Sequence, residues 1–119
     1  MTQFPWKRPV IPEAVRERRE ALRQRALKEG FRALKAIEDA GGKAVLFGSV
    51  IKPGAFREGS DIDLCLLEPS TYSLENSRFF TVAELAVSGF DVDVSWFDDL
   101  IPEIRAVVEK EGKGVADLV

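Results

Sequence analysis

The stretch from Pro12 to Ala40 constrains the fold most, because it is helix-compatible throughout and closed by the pair Gly41-Gly42. Proline suits the first helical position, and Glu13 suits the positive end of the helix dipole. Val15, Leu22, Leu34 and Ile37 fall along one stripe with Leu27 and Phe31 near it, and Gly30 is the position expected to kink or divide the helix. The first half carries Arg16, Glu17, Arg18, Arg19, Glu20, Arg23 and Arg25. Interleaved signs predict a solvated face, with Glu17 paired to its neighbours Arg16 and Arg18 and Glu20 to Arg23. The competing reading of this half is a basic surface for a partner or an acceptor substrate.

Beyond Gly42 the segments shorten. Lys43 to Phe47 is a short apolar strand ended by Gly48-Ser49, and a loop of mixed proline, glycine and charge runs from Val50 to Ser60. Asp61 to Leu67 reads as a second strand, closed by Glu68-Pro69-Ser70, while residues 71–77 carry no clear pattern. Arg78 to Val87 reads as a short helix closed by Ser88-Gly89. From Phe90 to Phe97 the residues alternate, with Phe90, Val92, Val94 and Trp96 on one face and Asp91, Asp93 and Ser95 on the other. Asp98 or Asp99 is expected to cap a last helix that carries Pro102 in its first turn and ends near Glu111. The order helix, strand, strand, helix, strand, helix predicts a mixed α/β (α+β) domain. Residues 1–11 read as an extended N-terminal arm and 12–119 as a single domain, a length at which one core can form.

Composition excludes several chemistries. With 0 histidines, Ser-His-Asp and Cys-His catalysis and the His-bearing zinc sites are all ruled out. The single cysteine, Cys65, lies in the apolar run Ile62–Leu67 and reads as a small buried hydrophobe. A net charge of -3 argues against general affinity for a DNA backbone, although a nucleotide neutralised by its metal remains compatible. The start Met1-Thr2-Gln3-Phe4-Pro5-Trp6 has no cationic leader before an apolar stretch, and no apolar run approaches the roughly 20 residues a membrane helix needs. A cytoplasmic protein is expected.

The remaining chemistry must run on carboxylates, hydroxyls and basic side chains. Along a strand, Asp61 and Asp63 project to the same side with Ile62 on the other, roughly 6.5 Å apart along the chain. Two such carboxylates repel each other unless a cation stands between them, and oxygen-only ligands select magnesium or manganese over zinc. Asp91 or Asp93 completes a cluster of three if the last strand pairs beside the Asp61 strand. With no histidine, an aspartate is also the available base for an attacking hydroxyl. Gly48 lets backbone approach a triphosphate, and Ser49 with nearby N–H groups suits the β- and γ-phosphates.

Leu46-Phe47-Gly48-Ser49, followed by Gly59-Ser60-Asp61-Ile62-Asp63-Leu64, resembles the signature of the DNA polymerase beta-type nucleotidyltransferases. Within that superfamily it is most similar to the minimal nucleotidyltransferase domains found beside HEPN toxins. Asp91-Val92-Asp93-Val94-Ser95-Trp96-Phe97 resembles the third motif, and that match makes Asp93 the third carboxylate. The resemblance spans about residues 33–112. It implies a small mixed sheet with helices packed on one side. It also implies two magnesium ions on Asp61, Asp63 and Asp93, with transfer of a nucleoside monophosphate, usually AMP from ATP, to a hydroxyl. In the toxin-associated branch that hydroxyl is a tyrosine of the partner toxin. Where the family has arginines after Gly-Ser, this chain has Val50-Ile51-Lys52-Pro53-Gly54, with Lys52 in the second arginine's place and one residue inserted at Pro53. Lysine offers charge without a bidentate fork, and Arg57 is the candidate to compensate at the triphosphate. The partners expected are a nucleoside triphosphate and either a HEPN-type toxin or a second copy of the chain, because a transferase this short leaves its acceptor site to another chain. The alternative is a binding module that silences such a toxin by contact alone.

Overall fold

The computed structural model describes residues 11–119, so all but the last residue of the expected N-terminal arm lies outside the described residues. Helix α1 (Glu13–Asp39) is followed by strand β1 (Lys43–Phe47), a 3-10 turn (Gly48–Ile51) and strand β2 (Ile62–Glu68). Then come helix α2 (Arg78–Ala86), strand β3 (Val92–Trp96), a second 3-10 turn (Phe97–Asp99), and helices α3 (Pro102–Glu111) and α4 (Val115–Leu118). The three strands form a mixed sheet in the order β1-β2-β3, with β1 antiparallel and β3 parallel to the central β2. This is a small α+β fold with a three-stranded mixed sheet. No helix among the described residues is long and apolar enough to cross a membrane.

Alternation along the strands divides the core. Ala44, Leu46, Ile62, Leu64 and Leu66 point to the face covered by α1 and α2, where they pack with Leu34, Ile37 and Phe79. Each fully buried aliphatic chain there contributes about 1.5–3 kcal/mol. Val45 and Cys65 point the other way and pack with Val108 of α3, so α3 shields part of the second face. Cys65 is fully buried, and that burial pushes its thiol up to about 11, which keeps it a packing group. On its outer edge β1 gains a backbone bridge to Lys113: the Leu46 amide donates to the Lys113 carbonyl at 2.8 Å and the Lys113 amide to the Leu46 carbonyl at 2.9 Å.

Helix α1 stops at Asp39, where the amides of Gly41 and Gly42 bond back to the carbonyls of Glu38 and Ile37. It runs unbroken through Gly30, contrary to the expected kink or division. The glycine is there for proximity: a β-carbon on it would stand 2.8 Å from Leu46 Cδ1. The buried seam of α1 is Arg23, Ala26, Gly30, Ala33, Leu34 and Ile37, and Val15 is only partly covered. Small residues let the helix lie close on the sheet, which a count of large apolar residues does not anticipate. Among the described residues, the glutamate–arginine pairs of α1 have i,i+3 spacing: Glu13–Arg16, Glu20–Arg23 and Glu29–Arg32. The expected pairs of Glu17 with its immediate neighbours are not among them, because consecutive helical residues point to different sides.

Helix α3 also starts differently from expectation. Ile101 is its N-cap and Pro102 its first residue, while Asp98 and Asp99 lie in the preceding 3-10 turn. Asp98 instead accepts hydrogen bonds from Ser70 Oγ at 2.8 Å and from Thr71 Oγ1, tying the 70–71 segment to the end of β3. Those hydroxyls, Thr71 first, hold its carboxyl below the usual range.

Candidate active site

The sheet register brings the acidic residues to one end of the second face. Asp63 lies opposite Phe47 of β1 and opposite Asp93 of β3, and Asp61 precedes β2 by one residue. Alternation sets Asp61, Asp63 and Cys65 on one side of β2, away from α1 and α2. Asp91 stands before β3, where its carbonyl accepts the amide of Ile62 at 2.9 Å. Asp91 lines a cleft with Leu22, Phe56 and Phe90. Register therefore sets Asp93, and not Asp91, across from Asp63.

Asp63 is half-buried, whereas Asp61 and Asp93 are exposed. Burial pushes the carboxyl of Asp63 up to about 6, and the charges of Asp93 and then Asp61 push in the same direction. Gly48 begins the turn after β1 with φ +76°, and a β-carbon on it would meet Asp63 Oδ2 at 2.5 Å. The Gly48-Ser49 corner and the central carboxylate are thus immediate neighbours. Ser49 continues the turn, which closes with the Lys52 amide bonded to the Ser49 carbonyl at 3.1 Å.

Lys52 and Arg57 are placed differently. The Lys52 ammonium lies 3.4 Å from Glu111 Oε2, linking the turn to the end of α3. That oxygen is buried and takes no hydrogen bond, so the lysine is its counter-ion. Arg57 borders a cleft of about 530 Å³ under the first half of α1, beside Arg18, Arg19 and Arg25. It also lines the smaller cleft that Ser60 and Asp91 border.

Three carboxylates without nitrogen or sulfur ligands are a donor set for a hard divalent cation. As they stand, no group of three or more acidic, histidine or cysteine side chains among the described residues is gathered tightly enough to hold a metal. The donor chemistry nevertheless fits. The central carboxyl carries the strain of its two acidic neighbours, and those neighbours are exposed side chains that can rotate toward it.

A pH dependence follows for the protein held in chelator. Asp63 titrates near its ordinary value of 3.8 when unfolded and at about 6 when folded, so between these pH values the folded state binds more protons. Its contribution to stability therefore falls as pH rises from about 4 to about 6. Discounted for a half-exposed group, the change is on the order of 1 kcal/mol. Urea unfolding of wild type and Asp63→Asn at pH 4 and pH 8 reads it: the asparagine variant is expected to gain on wild type at pH 8 only. An equal difference at both pH values contradicts the assignment. Glu20, held down to about 2 chiefly by Arg23, loses its contribution as pH falls from about 4.5 to about 2, alike in wild type and variant, so it cancels in the comparison.

The arginine of that pair is a residue that sequence reasoning passed over. Arg23 was legible as half of a helical ion pair, but no residue-level signal marks its burial or its reach to the turn.

A sequence model of the nucleotidyltransferase domain matches residues 25–115, well over half of the chain. No curated protein matches the chain.

Proposed function

The chain belongs to the nucleotidyltransferase domain family, a family of transferases, and from that premise we propose that it moves AMP from ATP to a hydroxyl group with magnesium. The observation that carries this reading is the placement of Asp63, flanked by Asp93 across the ladder and by the Gly48 corner on the neighbouring strand. Asp61, Asp63 and Asp93 would hold two magnesium ions, which supply charge neutralisation and polarisation of the phosphates. Gly48 and Ser49 hold the β- and γ-phosphates through backbone N–H groups and the serine hydroxyl. Asp93, exposed at the edge strand, takes the proton of the acceptor hydroxyl. The acceptor oxygen bonds to the α-phosphorus, the bond from that phosphorus to the bridging oxygen breaks, and pyrophosphate leaves with the electron pair. Lys52, three residues beyond Ser49, carries the positive charge nearest in sequence to the turn, and exchanges Glu111 for a phosphate oxygen. By the resemblance of its motifs, the acceptor is a hydroxyl on a partner protein of the HEPN toxin type in the cytoplasm.

Incubation with ATP labelled at the α-phosphate, and separately at the γ-phosphate, tests the reaction. In magnesium, label from the α-position is expected on protein and none from the γ-position, with the signal lost in chelator. Transfer from the γ-position instead would make the domain a kinase and end this reading. Purified protein that binds and silences its partner with no label transferred would favour the contact-only alternative.

A further inference from the structure

The first half of α1 contains one charged side chain that is buried. Arg23 is 8% exposed, in a chain segment whose other arginines face solvent or line the cleft beside α1. Its Nε and Nη2 donate to the two carboxylate oxygens of Glu20, at 3.0 and 2.6 Å. Its Nη1 donates to the backbone carbonyl of Val50 at 3.1 Å. Gln24 adds a third donor to Glu20 at 3.0 Å. The bidentate grip fixes the guanidinium plane, so the remaining donor is aimed and not merely available.

The target of that donor is the point of interest. Val50 follows Ser49 directly in the 3-10 turn, and its side chain is fully buried. The turn's own closing bond uses the Ser49 carbonyl, which receives the Lys52 amide. The next carbonyl, that of Val50, is met by the arginine from α1. The turn that begins at Gly48 is therefore pinned from within by the Val50 side chain and from α1 by a charged hydrogen bond. Burying a guanidinium is costly unless its donors are used, and here one is spent on this backbone oxygen.

We propose that Arg23 is a positioning residue for the nucleotide-holding turn, acting through the Val50 carbonyl with Glu20 as its aiming partner. The proposal rests on the reading of Gly48 and Ser49 as triphosphate contacts. The sequence match begins at residue 25, so Arg23 stands outside the matched domain and ties the preceding helical turns to it.

The test is calorimetric titration of the full chain with ATP and magnesium, well below the melting temperature, for wild type, Arg23→Ala, Arg23→Lys and Glu20→Gln. Arg23→Ala is expected to weaken binding roughly tenfold, the size of one charged hydrogen bond. Arg23→Lys keeps a cationic donor for Val50 and is expected to recover most of that loss. Amide exchange at Lys52, which reports closure of the turn, should quicken in the alanine variant and return toward wild type in the lysine one. Binding by Arg23→Ala within twofold of wild type, or a lysine variant as weak as alanine, overturns the proposal and leaves Arg23 a purely structural group. If Arg23→Ala does not fold, Glu20→Gln decides, with a small loss of affinity and quicker Lys52 exchange expected, and wild-type affinity with unchanged exchange overturning the proposal. A wild-type chain that binds no ATP would instead defeat the underlying reading of the turn.

Discussion

Replacing Asp61 or Asp63 by asparagine is expected to reduce nucleotidyl transfer on the order of a thousandfold while leaving a folded chain. Asparagine keeps the size of the side chain and removes the charge that a divalent cation needs. Asp61 is exposed, so its amide takes no new buried place. At Asp63 the neutral amide relieves the penalty that burial and the charges of Asp93 and Asp61 impose, so the fold gains where activity is lost. Asp93→Asn is expected to lose as much, since the proposed mechanism makes that residue both ligand and base. Asp91→Asn is the control from the same strand region, expected to stay within about threefold of wild type, because the register sets Asp93 across from Asp63 and the charges acting on Asp63 are those of Asp93 and Asp61. Label from the α-phosphate of ATP appearing on protein is the measurement. Loss in Asp91→Asn with activity kept in Asp93→Asn would reverse the choice of third carboxylate. Full activity in both Asp61→Asn and Asp63→Asn would remove the carboxylates from the mechanism altogether.

The parts of this arrangement that were legible in the sequence are those governed by local rules. The glycine pair at the end of α1, the two-residue period of Asp61 and Asp63, and the alternation from Val92 to Trp96 all depend on backbone geometry within a few residues, and the structure has α1, β2 and β3 close to where those patterns put them. The pairing partner of Asp63 is different. Asp91 and Asp93 share a face by alternation, and only the parallel register, Ile62 with Val92 and Asp63 with Asp93, separates them. Register is a long-range property set by how β3 packs on the core, so the residues alone leave it open. The seam of α1 was misjudged for a related reason. Ala26, Gly30 and Ala33 carry little apolar weight, yet their smallness sets how near the helix lies to Leu46 and Ile62. Arg23 was hidden by the same logic, since a charged residue at helical spacing from Glu20 looks like surface until the Val50 carbonyl is seen beside it. Asp98 looked like a cap because it precedes a helix, but Ser70 and Thr71, distant in sequence, claim its oxygen.

Gly48→Ala should separate stability from activity more sharply than any other single change. Gly48 has φ +76°, a region in which a β-carbon costs about 1–2 kcal/mol, and unfolding in urea should show a loss of that size. The larger consequence falls on the site. The new methyl group would stand 2.5 Å from Asp63 Oδ2, while the next nearest atoms, Asp63 Cγ and Cβ, are at 3.4 and 3.5 Å. The overlap is thus with the tip of a side chain, and a turn of the carboxylate relieves it without moving β2. That turn displaces an oxygen that the proposed mechanism directs at the metal and the nucleotide, and a displacement near 1 Å costs roughly a hundredfold in rate. Most of the harm is therefore expected in transfer from α-labelled ATP and little in the fold. On an Asp63→Asn background the same substitution should keep its stability cost and add almost nothing to the loss of transfer, because the group it displaces is already disabled. A Gly48→Ala protein that unfolds more easily yet transfers at the wild-type rate would show that the corner and the carboxylate are neighbours without being partners.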